Sequence, residues 1–210
     1  MGFLRHPPKG WALYLEEYGS SFPNAVTYWN QQDPNMGKAS ILYIRVPWSR
    51  MEPTEGHYAW NEDANFKLLT QMAKDRGLKL AFRVFEDSQD VHMQATPQFV
   101  FEAGAQGYVP QSNAGFKTPY LTDPVCKQKF ENSVNSFAPK FDDPLPVFID
   151  AQGLGWWGEM GPAQLGYMNA RKKNDTFQWI VNLYSSKFKK VLLGGHMATF
   201  SGIWDMGQLL

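Results

Sequence analysis

The sequence predicts an α/β fold of the TIM-type (β/α) barrel kind, incomplete at about five strands, and three observations carry that prediction. Short apolar, β-branched runs alternate with stretches of helical periodicity, the order that builds a parallel sheet with right-handed crossovers. No glycine-rich phosphate fingerprint follows the early strands, which disfavours a nucleotide-binding open sheet and favours the barrel. The stretch Val147-Phe-Ile-Asp-Ala-Gln-Gly-Leu-Gly-Trp-Trp-Gly-Glu-Met160 starts as a buried strand and breaks into glycines, tryptophans and a carboxylate, so it reads as a strand with a site at its carboxyl end.

Residues 10–15 alternate enough for a first short strand, and a helix is expected through Val26 to Trp29. Residues 39–46 form a stronger strand that runs into a segment with two prolines and a glycine, 47–56, expected to be loop. A helix is expected to open at Trp60 with Asn61 as cap, bury Phe66, Leu69 and Met72 or Ala73, and stop at Gly77. Residues 78–85 are the third strand. An irregular region of about 91–122 follows, with one short helical piece at 97–103, and a connection this long is usually functional or partly disordered. Asp123-Pro124 starts a helix whose buried face is Val125, Phe130, Val134 and Phe137, running through Phe141. The fourth strand begins at Val147, one more helix covers 174–184, and a fifth strand covers 190–195. No short-period repeat, low-complexity tract or linker divides the chain, so residues 1–210 are expected to be one (β/α)-barrel domain, the N-terminal part of a full barrel.

Composition narrows the function. Lys+Arg and Asp+Glu are 20 each, so the chain has no electrostatic footprint for nucleic acid or an anionic membrane. No apolar run reaches the length of a membrane span, and residues 1–7 lack the apolar core of a signal peptide, which leaves a previously removed signal, and a periplasmic or secreted location, open. The single cysteine, Cys126, reads as a small packed side chain. Aromatic residues are in excess, 15% with eight tryptophans, and several sit beside Gly, Pro or acidic residues, so part of them is expected to face a ligand. Carbohydrate suits that mixture of flat apolar faces and polar groups. His92 and His196 have no metal-ligand partner at a recognisable spacing; no metal and no cofactor are expected.

Arg45-Val-Pro-Trp48, Glu52-Pro-Thr-Glu-Gly-His-Tyr-Ala-Trp60 and Gly155-Trp-Trp-Gly-Glu159 resemble the clan A glycoside hydrolases, barrel enzymes near the family-42 β-galactosidases, and uncharacterised bacterial barrel proteins with a Trp-Gly-Glu pattern after strand four. The resemblance spans roughly residues 8 to 160. It implies that Trp11, Arg45, Arg83 and Glu159 stand at the ends of strands one to four and face one pocket, with Glu159 as acid/base. Members usually show Asn-Glu where this chain has Gly158-Glu159, and their nucleophile follows strand seven, which has no counterpart here.

A retaining glycosidase needs two carboxyl groups about 5–5.5 Å apart, an inverting one about 6.5–9.5 Å. Glu159 fits the protonated one, since Trp156 and Trp157 lower the local polarity; alternatively it pairs with Arg45 or Arg83. Those arginines end strands in apolar settings and need partners, for which Asp150 and Glu86 are the candidates. Trp48, Trp156 and Trp157 are expected to stack on sugar rings, Trp60 to pack, and His196 to lie near the same pocket. The expected activity is hydrolysis of an oligo- or polysaccharide; the alternatives are a non-catalytic carbohydrate-binding barrel and a barrel segment active only with its C-terminal part. The expected partners are accordingly a carbohydrate ligand and, because five strands cannot close an eight-strand barrel, further copies of the chain or the missing barrel half.

Overall fold

The computed structural model describes residues 11–16, 21–87, 93–110, 115–143, 146–151 and 168–195. Its strands are β1 (Trp11–Glu16), β2 (Ala39–Pro47), β3 (Lys79–Phe85), β4 (Gly107–Tyr108), β5 (Thr118–Pro119), β6 (Pro146–Ala151) and β7 (Leu192–Gly195). The helices are α1 (Ala25–Gln32), α2 (Trp48–Met51), α3 (Ala59–Glu62), α4 (Ala64–Asp75), α5 (Gln98–Glu102), α6 (Pro124–Phe141) and α7 (Ala170–Lys187), with a 3₁₀ segment at Asp33–Lys38.

Five strands form one parallel sheet in the order β1-β2-β3-β6-β7. Each crossover therefore moves to the next position and the winding never reverses. A doubly wound sheet reverses at a switch point; an unreversed parallel order is that of a barrel. Among the described residues the arc is open, bounded by β1 and β7.

One face of this arc packs on the helices. Leu15, Leu42, Ile44, Val46, Leu80, Phe82 and Ile149 share a core with Trp29, Phe66, Leu69, Phe130, Phe137, Phe141, Ile180 and Leu183. The period of two along each strand then turns the intervening residues to the other face, the inner face of a barrel. Packing in the helical layer is aromatic: Phe82 lies 4.5 Å from Phe141 and 5.8 Å from Phe137 between ring centroids. Trp29 donates its indole N–H to the Leu69 carbonyl at 3.2 Å, which ties α1 to α4.

Helix ends follow local chemistry. The Asp123 carboxylate accepts from the Val125 and Cys126 amides, with Pro124 at the first helical position, as expected. The helix expected to open at Trp60 is instead two, α3 and α4, because Asp63 leaves helical geometry (ψ 116°) to accept the Phe66 amide; Asp63, not Asn61, is the cap. Gly77 ends this region at φ +74°, a conformation that favours glycine.

Two further expectations are corrected. Residues 47–56 are not all loop, since Trp48–Met51 make one helical turn that buries Trp48 and Met51. The region after β3 holds a small antiparallel ladder, β4 with β5, where Gly107 sits so close to the Thr118 carbonyl that no side chain would fit.

Candidate functional site

The inner face of the sheet carries the candidate site at the carboxyl ends of its strands. The register sets Tyr14 beside Tyr43 and Arg45 beside Arg83. Tyr14, Tyr43 and Phe148 form a row of rings, with centroids 5.3 Å and 5.6 Å apart in turn. Between Tyr43 and Phe148, β3 contributes Ala81, whose small side chain lets the rings meet across it.

Above this aromatic row lies a polar layer. Asp150 Oδ2 accepts from Tyr43 Oη at 2.7 Å, from Arg83 Nε at 2.9 Å and from Arg83 Nη2 at 2.5 Å. Arg83 and Asp150 are 5% and 12% exposed at their side chains. In that setting an unpaired charge is costly, and the pair supplies the compensation. Arg45 Nη1 donates to the Tyr14 hydroxyl at 2.6 Å, and its guanidinium lies 5.7 Å from the centre of the Phe85 ring. Burial pushes the Tyr43 phenol well above its ordinary value, opposed by Arg83 and reinforced by Asp150, so it stays a hydrogen-bond donor at any physiological pH.

The expected pairing of Arg83 with Asp150 is present. Three other expectations fail on position. Trp11 is the first residue of β1, at the opposite end of the sheet from Arg45, and is 75% exposed. Trp48 is wholly buried; it donates to Glu52 at 2.8 Å and meets Phe99 and Phe130 edge to face, so no ring face is left for a sugar. Glu86 is buried on the helical side, where the Cys126 thiol donates to its carboxylate at 3.7 Å, because it continues the outward alternation of Leu80, Phe82 and Val84. Glu159, Trp156, Trp157 and His196 lie outside the described residues, as does His92.

The Glu52-Pro-Thr-Glu-Gly-His-Tyr-Ala-Trp60 motif has a scaffold role. The buried Glu52 carboxylate accepts the Trp48 indole N–H with one oxygen and the Gly56 amide with the other, at 2.8 Å and 2.9 Å, bracing the turn against α2. Tyr58 stacks on Trp60 at 4.3 Å and donates to the Ser136 hydroxyl, while Trp60 packs on Phe137 and Phe141, as expected of it. Cys126 is buried, and burial, with Glu86 beside it, pushes its thiol up, the opposite of a nucleophilic cysteine.

Sequence reasoning passed over Tyr14 and Tyr43. The signal for Tyr43 is the alternation in Leu42-Tyr43-Ile44-Arg45, where every second side chain is polar-tipped inside a run that reads as almost all apolar.

No protein-family model matches the chain, and no curated protein sequence does. Solved structures do. A structure described as a glycoside hydrolase superposes with a TM-score of 0.52 at 10% identity, over 95% of this chain and 56% of its own. The virulence factor SghA, solved with its substrate analog salicin, gives 0.50 at 12% identity, over 81% of this chain and 36% of its own. A β-glucosidase from Exiguobacterium marinum gives 0.48 at 12% identity, over 77% of this chain and 32% of its own. This chain has an incomplete (β/α)-barrel fold, with five parallel strands among the described residues. It spans between about a third and somewhat over half of the structures it resembles.

Proposed function

We propose that the chain is a glycoside hydrolase barrel, near the family-42 β-galactosidases, that acts on an oligo- or polysaccharide with Glu159 as general acid/base. The observation that carries this reading is the inner face just described: a ring row beneath an arginine–carboxylate–tyrosine layer, at the carboxyl ends of strands that superpose on a structure described as a glycoside hydrolase. Such a face suits a sugar, because the rings take its C–H surface while the polar layer takes its hydroxyls. Glu159 comes after Asp150 in the sequence, beyond the last residue of β6.

Hydrolysis requires a second carboxyl group. Asp150 is held by Arg83 and Tyr43, so on this reading the nucleophile or base comes from barrel strands beyond the five described. That tight holding of Asp150 also favours a second reading, a carbohydrate-binding barrel without turnover. Activity on a panel of aryl glycosides, with wild type and Glu159→Gln side by side, separates the two. Hydrolysis lost by roughly a hundredfold or more in the variant supports the acid/base role. Equal turnover in both proteins overturns it, and saturable binding without turnover in wild type moves the assignment to the binding reading.

A further inference from the structure

Three donors converge on one oxygen of Asp150, and that asymmetry has a use. An arginine that merely neutralises a carboxylate tends to form a fork, with two N–H groups meeting two oxygens. Here Arg83 Nε and Nη2 both meet Oδ2, and Tyr43 adds its hydroxyl to the same atom. Among the described residues no donor reaches Oδ1. The neighbouring position on β7 is Gly194, paired in register with Asp150. A Cβ built there would lie in ordinary contact, 3.7 Å from Oδ1 and 3.7 Å from the Phe148 ring, so the backbone does not require a glycine, and the absence of that Cβ is what keeps a methyl group from standing against this oxygen.

Resting on the reading that this face takes a carbohydrate, we infer that Tyr43 is a positioning residue: with Arg83 it fixes Asp150 so that Oδ1 accepts a hydrogen bond from a sugar hydroxyl seated beside Gly194. A hydroxyl is the fitting ligand group because an acceptor already satisfied on one oxygen by cationic and phenolic donors has room for a neutral O–H on the other. Glycine at 194 is then a specificity device, setting how closely the ring approaches the sheet.

Two substitutions test this without touching Glu159. Tyr43→Phe keeps the ring row and removes the O–H. Gly194→Ala places a methyl group in ordinary contact distance of its neighbours, so the sheet accepts it while the space beside Oδ1 is filled. Turnover and binding of p-nitrophenyl β-D-glucoside and p-nitrophenyl β-D-galactoside are measured for wild type, Tyr43→Phe, Gly194→Ala and Glu159→Gln, with melting temperatures. The expected result is a KM or Kd raised about five- to tenfold by each of the first two substitutions, with kcat changed less than about twofold and Gly194→Ala melting with wild type. Wild-type KM and Kd in both variants overturn the inference, and leave the carbohydrate reading standing if Glu159→Gln still abolishes turnover. A wild-type protein that binds neither glycoside overturns the inference together with the reading beneath it.

Discussion

Asp142 shows how one carboxylate can hold two elements together. It stands just past α6 and accepts the backbone amides of Lys189, Lys190 and Val191 at 2.9, 2.6 and 3.1 Å, fixing the turn between α7 and β7. Slight burial acts to raise its ionisation point, but the three amides outweigh it and hold the carboxyl below the ordinary value. A depressed carboxylate contributes stability that is fully present above the unfolded-state value, about 3.9, and lost as pH falls through the lower folded value. Asp142→Asn should therefore lower stability at neutral pH and flatten the acid limb below about pH 4, read from urea midpoints across pH. Parallel acid limbs for the two proteins would show that these amides do not govern the titration.

At the scale of elements, the connection that matters most for the site is β3 to β6, made by Arg83 and Asp150 across a short backbone pairing whose register shifts between Leu80 and Ala81. Replacing Arg83 with Met leaves the nearly buried Asp150 carboxylate with, among the described residues, Tyr43 as its remaining donor, and should cost about 3 kcal/mol or more. Replacing both, as Arg83→Met with Asp150→Leu, should recover most of that loss, because two apolar side chains need no compensation there. Chemical denaturation of the two single and the double variant gives the coupling; additive losses would mean that the pair does not join the strands energetically.

At the scale of the whole molecule, the described residues form an open arc. Among the described residues β1 and β7 each have a strand partner on one side only, and the flanking side chains are apolar: Trp11 is 75% exposed on β1, and Leu192 is 45% exposed on β7. Unpaired edges with exposed apolar side chains template association. The expected outcome is concentration-dependent self-association in sedimentation velocity, reduced by Leu193→Lys on the outer face of β7. A single monomeric species across the concentration range would show that these edges are protected in solution.

Periodicity in the sequence was sufficient for the parallel strands and the long helices, because each has an apolar repeat that only one geometry buries; α6, with Asp123 and Pro124 before Phe130, Val134 and Phe137, is the clearest case. It also singled out Arg45, Arg83 and Asp150, since charges inside apolar strands need partners wherever they point. Which partner each takes is a matter of register. A shift of one residue would send Asp150 to the helical face, and no local pattern states the register of a parallel pair whose strands lie far apart in sequence. Tertiary structure alone therefore paired Arg83 with Asp150, turned Glu86 outward to Cys126 and sank Trp48 into the core. It also placed Tyr14 and Tyr43 on the inner face, where a tyrosine in an apolar run becomes the donor that orients a carboxylate.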